Sequence, residues 1–351
     1  MPRLGTIGGW GWYACSNGAA ETAAWPMDDC ALAGNAGVPR CAPLSDDGVP
    51  SKPMPAPWAV ALVYNPKAGH FCARTLARWQ RALSAAGHAT RLVDSLDYAS
   101  APDRHQADVV CIVGGDGTAR MVVEAGRSAS RSLCHALLPA GTVNLIARET
   151  GCDRDSAKLI AALADRATPT RQYHGLVNDA AFLCCASAGP DSAVVARVTD
   201  AAKRRWGRMA YGWALIAQLW HWPRPALRVT VDGATRAAEA VFVLKGRFYA
   251  GPWTLDPQAA LSRPEFRVLL MPQARRRDIM RLALSAMISP RFADPAWQRL
   301  AAQTVTIAAE QPVPVQADGD VLGHTPTRFS VAKAPIAFLS PVAPQTRRDP
   351  G

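Results

Sequence analysis

Val109-Val110-Cys111-Ile112-Val113-Gly114-Gly115-Asp116-Gly117-Thr118 is the stretch whose reading organises the rest of the chain. Its first five residues are an unbroken apolar run rich in β-branched side chains, the pattern of a strand covered on both faces in a parallel sheet. Three glycines in the next four positions let the backbone take positive φ and come close to a ligand, with Asp116 between them. The segment from Thr118 to Ala125 predicts a helix with Thr118 as N-cap, so that exposed amides and the positive helix end face the same turn. A carboxylate in such an anion site repels phosphate unless a cation such as Mg²⁺ lies between them, which points to metal-bridged nucleotide phosphates. Two other phosphate loops are excluded. Arg120 stands where a dinucleotide fingerprint starting at Gly115 needs its third glycine, and no Gly-x-x-x-x-Gly-Lys-Ser/Thr occurs.

Two further loops share this design. Residues 59–64 read as a strand running into Asn65-Pro66-Lys67-Ala68-Gly69, followed by a helix with Leu76, Trp79 and Leu83 on one face and a strand over 90–93. Residues 134–138 read as another buried strand, followed by Pro139-Ala140-Gly141-Thr142-Val143-Asn144 and a helix through Ala147 and Arg148. Strands alternating with helices gather such loops along the carboxyl edge of one open parallel sheet, the usual ligand crevice.

Past about residue 170 the alternation stops. Strands are expected over 171–177, 182–187, 227–231, 240–245, 266–271, 304–308, 313–317 and 329–332, with Asp232-Gly233 as a hairpin turn. The expected fold class is therefore α/β with two domains, an N-terminal open parallel-sheet nucleotide-binding domain and a C-terminal antiparallel β-sandwich. A long helix is expected from about Asp191 to Trp222, basic early and aromatic late. Its Arg204, Arg205, Trp206 and Trp213 suit either core packing or contact with lipid headgroups. A second basic cluster, Arg275-Arg276-Arg277, opens the helix before Met287.

The 351 residues, 49% hydrophobic and 19% charged, suit two globular domains with sizeable cores. A formal charge of +11 favours anionic partners, whether nucleotide phosphates, an acidic membrane surface or nucleic acid. Nine scattered cysteines without Cys-x-x-Cys or zinc spacing suggest reduced thiols in a cytoplasmic protein. No apolar run reaches the roughly 18 to 20 residues of a membrane span, and the N-terminus lacks a secretory apolar region. Residues 1–57, rich in Gly, Pro and Ala, read as a disordered extension, 58–170 as the nucleotide-binding domain, 171–340 as the β-rich domain and 341–351 as a tail.

The ordered set Asn65-Pro66-x-x-Gly69, Gly114-Gly115-Asp116-Gly117-Thr118, Pro139-x-Gly141-Thr142-x-Asn144-x-x-Ala147-Arg148, Gly189-x-Asp191 and Asp318-Gly319-Asp320 resembles the diacylglycerol kinase and sphingosine kinase superfamily over about residues 58–340. The resemblance implies an ATP-binding α/β domain, a lipid-binding β-rich domain whose last strands can return to the first, and a cleft between them. It assigns ATP binding to Asn65, Gly114, Gly115, Asp116, Gly117, Thr118, Gly141 and Thr142, with Mg²⁺ at Asp116. It makes Asp320 the carboxylate that takes the proton from the lipid hydroxyl, with Asp116 also catalytic. Implied too are a lipid substrate and peripheral contact with the inner membrane face, and a homodimer is compatible with it.

Two positions depart from the family pattern. Tyr173 stands where members commonly carry an aspartate that helps organise the metal. Arg263, in Leu261-Ser262-Arg263-Pro264, replaces the aspartate of a Leu-x-Asp-Gly turn that can hold an extra structural Mg²⁺, so no second metal is expected there. An ATP- and Mg²⁺-dependent lipid kinase is the reading that covers most of the chain. A catalytically silent nucleotide- or lipid-binding protein and an NAD kinase are the alternatives. A nucleic-acid role rests on charge alone, without a recognition module, and is not expected.

Overall fold

A computed structural model describes residues 57–127, 133–152, 158–159, 161–162, 169–197 and 224–340. The extension expected over 1–57, apart from its last residue, and the tail lie outside the described residues, as do Arg204, Arg205, Trp206 and Trp213. Four strands form the start of the first sheet: β1 (Ala59–Tyr64), β2 (Ala89–Asp94), β3 (Val109–Gly114) and β4 (Cys134–Pro139), all parallel, in the order β2-β1-β3-β4. The alternation of side chains along a strand divides their residues between two cores. Val60, Leu62, Val109, Cys111 and Val113 face Leu76, Trp79 and Leu83 of α1 (Ala73–Ala85). Ala61, Val63, Val110 and Ile112 face Ala119, Val122 and Val123 of α3 (Asp116–Gly126), which follows the short α2 (Ser95–Ser100). Both faces of β3 are covered, so its run contains no polar residue.

Beyond the short α4 (Leu145–Glu149), β5 (Thr170–Gln172) still belongs to this sheet, whereas β6 (Gly175–Val177) belongs to the next. The single strand expected over 171–177 is therefore two. The chain changes sheets at Tyr173 and His174, where Tyr173 N–H donates to Leu261 O at 2.7 Å and His174 O accepts from Ala332 N–H at 3.0 Å. The strand expected over 182–187 is likewise divided, into the end of β7 (Ala180–Phe182) and β8 (Cys185–Ala188). Between them the amides of Leu183 and Cys184 turn towards the Asp318 carboxylate instead of a neighbouring strand. Of the long helix expected next, α5 (Pro190–Arg197) is described.

The remaining strands are β9 (Leu227–Val231), β10 (Ala234–Ala238), β11 (Ala240–Leu244), β12 (Phe248–Tyr249), β13 (Trp253–Thr254), β14 (Phe266–Met271), β15 (Gln298–Ala302), β16 (Thr304–Ala309), β17 (Pro314–Ala317), β18 (Asp320–His324), β19 (Thr327–Val331) and β20 (Ile336–Phe338). They build two antiparallel sheets, β10-β9-β16-β19-β6-β7 and β15-β14-β11-β8-β17-β18, and a β12-β13 ribbon. Asp232 and Gly233 turn the β9-β10 hairpin with φ of 43° and 90°, the left-handed pair that a two-residue hairpin needs. β20 returns to the first sheet, parallel to β4 and antiparallel to β5.

The third sheet is the middle layer. Val241, Val243, Val268 and Leu270 pack against Val229, Val305, Ile307 and Phe329 of the second sheet, forming the sandwich. The alternate residues Phe242, Leu244, Leu269 and Met271 face the other way, into the core that contains α3, α4 and Leu282 of α6 (Arg276–Met287). One strand thus serves both the sandwich and the cleft, and a register slip of one residue would exchange the two.

Phe182 fixes this layering. It stacks on Phe266 at 5.8 Å and meets Phe329 edge-on at 6.0 Å, and a Cβ placed on Gly175 would lie 2.2 Å from its ring. Gly175→Ala is expected to cost about 1–3 kcal/mol, the range for overpacking. It should appear as a lower urea midpoint with an unchanged slope; an unmoved midpoint would show that the ring yields. His135, buried on β4 and stacked on Phe338, has its pKa pushed down by burial to about 4, against the pull of a hydrogen bond with Ala337 O. An imidazole in the unfolded chain titrates near 6.5, so the folded state binds fewer protons between these values and stability falls as pH drops through the window. His135→Phe should remove about 3 kcal/mol of that loss, and an identical pH profile in the variant would refute the assignment.

Candidate active site

The three strand-end loops meet at the carboxyl edge of the first sheet. Asn65 Nδ2 donates to Thr118 Oγ1 at 3.0 Å, Ala140 N–H to Gly114 O at 2.8 Å, and His70 N–H to Ala140 O at 2.9 Å. A Cβ on Gly115 would stand 2.9 Å from the Gly141 Cα, and one on Gly141 would stand 2.4 Å from the Gly115 Cα. These two loops touch backbone to backbone, and glycine is the residue that allows it. A Cβ on Gly114 would collide with Thr118 in the same way, at 2.5 Å. None of Gly114, Gly115 and Gly117 has positive φ, so the expected left-handed turn is replaced by close approach. The helix also begins earlier than expected: Gly115 is the N-cap, and Thr118 lies inside the first turn of α3 with its hydroxyl engaged by Asn65.

Asp116 is consequently the first residue of α3 and points at the neighbouring loop. Its Oδ1 accepts from Ile146 N–H at 3.0 Å, and the amides of Leu145 and Asn144 also favour its charge. Burial nevertheless raises its pKa. Asn144 adopts the left-handed conformation, φ 56°, held by reciprocal bonds with Gly141: Gly141 N–H to Oδ1 at 2.9 Å and Nδ2 to Gly141 O at 2.8 Å. That bend turns the start of α4 towards Asp116. Thr142 belongs to the same gathering, its Oγ1 3.1 Å from where a Gly69 Cβ would be.

The third sheet brings two further carboxylates. Asp318, φ 50°, is half-buried and accepts from the amides of Leu183 (2.6 Å), Cys184 (2.8 Å) and Cys185 (3.1 Å). Burial raises its pKa to about 6 against those three bonds. Two residues on, Asp320 opens β18 with its side chain 40% exposed, and its Oδ2 pairs with Arg120 at 3.1 Å. That oxygen lies 3.8 Å from where a Gly117 Cβ would stand, so Asp320 faces the start of α3.

Asp116, Asp318 and Gly319 line a cavity of about 560 Å³. Elsewhere its walls are mainly apolar: Val143 from the loop before α4 and Leu145 from α4, Val194 and Val195 from α5, Phe242, Trp253 and Leu255, and Ile279, Leu282 and Ala286 from α6. Asp191 is half-buried in that wall. It accepts hydrogen bonds from Ser187 Oγ, Tyr249 OH and Gln316 Nε2, the last at 3.3 Å. Burial raises the pKa of Asp191 and of Tyr249.

The structure thus brings together Asn65, Gly114, Gly115, Asp116, Gly117, Thr118, Gly141, Thr142 and Asp320. Three participants escaped the sequence reading. Arg120 sits one turn after Asp116, and that spacing was a usable signal. Glu149, at the end of α4, accepts from Phe248 N–H at 2.8 Å and so ties the loop after β4 to the ribbon beside the cavity. Lys245 is fully buried and donates to Ala260 O (3.0 Å), Leu261 O (3.2 Å) and Arg263 O (2.7 Å). A lysine ending the wholly apolar β11 was its signal. Burial lowers its pKa to about 7, with Glu149 and Glu265 working against the shift.

Comparison with known proteins agrees with this layout. Residues 59–172 match the diacylglycerol kinase catalytic domain, and residues 184–340 match the YegS C-terminal NAD kinase beta sandwich-like domain. A relative from Pseudomonas aeruginosa called "Probable lipid kinase YegS-like" is 26% identical over 68% of this chain and 78% of its own. The diacylglycerol kinase of Staphylococcus haemolyticus is 24% identical over 80% and 87%. Two Bacillus anthracis crystal structures, one described as a diacylglycerol kinase, share the fold with TM-scores of 0.67 and 0.62. Both are 17% identical, and the match covers 82% of this chain and 97% and 98% of theirs. With the two family models falling in order on the two halves of the cleft, the chain belongs to the diacylglycerol kinase and sphingosine kinase superfamily.

Proposed function

We propose that the protein is an ATP- and Mg²⁺-dependent lipid kinase that transfers the γ-phosphoryl group to a hydroxyl of diacylglycerol or a related lipid at the inner membrane face. The observation that carries this reading is that one carboxylate, Asp116, belongs both to the meeting point of the three loops and to the wall of a largely apolar cavity. A polar donor and an apolar acceptor can therefore meet at one point. Residues 58–170 would form the nucleotide half and residues 171–340 the lipid half.

Asn65, Gly114, Gly115, Gly117, Thr118, Gly141 and Thr142 are assigned to ATP, their glycines giving the phosphates access to backbone amides. Mg²⁺ is commonly held by one or two carboxylates together with substrate phosphates, so Asp116 suits it although no cluster of three His, Cys, Asp or Glu occurs among the described residues. When bound, Mg²⁺ would neutralise charge on the transferring phosphoryl group. The lipid hydroxyl oxygen bonds to the γ-phosphorus as the bond to the ADP oxygen breaks, and Asp320 takes the hydroxyl proton. Arg120 holds that carboxylate beside the start of α3. Acyl chains occupy the cavity.

The direct test is transfer of labelled γ-phosphate from Mg-ATP to a mixture of bacterial and sphingoid lipids, with products separated from NADP. Asp320→Asn is expected to lower turnover by about 10²–10⁴, the contribution of a general base. Asp116→Ala should abolish it with the circular dichroism spectrum unchanged. Undiminished turnover in either variant would sink the corresponding role, and ATP binding without labelled lipid would favour a silent binding protein. Ala286→Trp, which fills the cavity, should raise KM for long-chain diacylglycerol by about tenfold while leaving a short-chain acceptor little changed, as steric exclusion from an apolar pocket predicts. Equal effects on both acceptors would remove the acyl chain from the cavity.

A further inference from the structure

Seven large apolar side chains are exposed among the described residues, and four of them sit on α6 and the turn after it: Met280 (66%), Met287 (54%), Ile288 (68%) and Phe292 (42%). Exposed apolar residues scattered singly are ordinary, but a cluster on one element marks a contact surface. On α6 the spacing is helical. Arg276, Met280, Ala283 and Met287 follow one another at steps of four, three and four, so they share a single outward face.

The charge on this face has one sign. Arg276, Arg277 and Arg291 are exposed, the Arg277 side chain by 71%. The acidic residues nearby lie deeper than the arginines. Asp278 is buried, accepting from Arg275 N–H at 3.0 Å, and in its 3.8 Å pair with Arg277 the guanidinium is the exposed partner, while Asp294 is taken up by Arg281 at 2.6 Å. Methionine, isoleucine and phenylalanine framed by arginines suit the boundary between acyl chains and anionic headgroups, where the apolar groups insert and the guanidinium groups stay with phosphate.

The adjoining side of the same helix, about 100° round, is the cavity wall, through Ile279, Leu282 and Ala286. Ala283 both lines the cavity and is exposed, so the rim lies on the arginine-flanked face. We infer that α6 and residues 288–292 dock on a bilayer containing anionic phospholipid and set the cavity rim against the membrane, so that a lipid passes from the bilayer to Asp116 without crossing water. This rests on the lipid-kinase reading for what the cavity holds, whereas the docking itself is independent of turnover.

The test is co-sedimentation of the full chain, without nucleotide, with vesicles of phosphatidylcholine alone and of phosphatidylcholine mixed equally with phosphatidylglycerol. Wild type is expected to bind the anionic vesicles at least tenfold more tightly, with the preference falling as salt is raised. Met280→Glu/Ile288→Glu and Arg276→Gln/Arg277→Gln should each lose at least tenfold of that binding. Both variants should keep the wild-type circular dichroism spectrum and, in a kinase, turnover of a short-chain soluble acceptor. A wild type that ignores anionic vesicles, or variants that bind them like wild type, would overturn the inference. A dimer that Met280→Glu/Ile288→Glu converts to monomer with vesicle binding intact would give the face to a second copy of the chain instead. Vesicle binding that follows the expected pattern in a protein that phosphorylates no lipid would leave the docking surface standing and the kinase reading refuted.

Discussion

The bond between Asp116 and the amides that open α4 is the constraint on which the cleft depends. A carboxylate partly withdrawn from water is costly unless it is hydrogen-bonded, and here the next loop of the same sheet supplies the donors. That supply requires the loops after β3 and β4 to touch, which Gly115 and Gly141 permit by having no side chain between their Cα atoms. It also requires the chain to turn sharply at Asn144, which closes its amide on Gly141 and enters the left-handed region that asparagine tolerates. Bond, close approach and turn are mutually dependent, so the loop cluster is held as one piece.

Asp318 performs the matching task for the other half. Its three amide donors come from the segment where the second sheet hands over to the third, and satisfying them interrupts the strand between Phe182 and Cys185. The αL pair Asp318 and Gly319 then turns the chain so that Asp320 emerges half-exposed next to Gly117 and Arg120. Of two aspartates separated by one glycine, the first is spent on the fold and the second is left at the cleft. The difference lies in partners: Asp318 is held by three amides where it lines the cavity, and Asp320 faces a cation at the surface.

Much of this was legible in the sequence because periodicity and turn chemistry report local constraints. The β3 run, the buried stripe Leu76, Trp79 and Leu83, and the Asp232-Gly233 hairpin each follow from their own few residues. Features set by distant partners were not legible. The change of sheet at Tyr173 and His174 depends on Leu261 and Ala332, which lie far along the chain. Of the two reasons for the glycines after β3, positive φ does not hold and close approach does, to Thr118 and Gly141; both requirements leave the same letter in the sequence. The cavity was invisible for a related cause: α5, β11, the ribbon and α6 each contribute a few apolar residues indistinguishable from core.

Lys245 shows how one such hidden contact bears on the whole cleft. An ammonium has three protons and no acceptor, and here three main-chain carbonyls of the turn before β14 receive bonds from it. One of them, Leu261 O, also accepts from Tyr173 N–H at the point where the chain crosses from the first sheet to the second. Converging carbonyl dipoles repel one another unless a positive charge lies between them, and β11 provides that charge from its own end. In this turn Arg263 offers its carbonyl inward and its side chain to Glu265 at the surface. Glu149 reaches the residues just beyond Lys245 from α4, so the helix that holds Asp116 and the strand that holds this turn are joined within one short segment. Loop cluster, sheet crossing and cavity wall therefore share their supports.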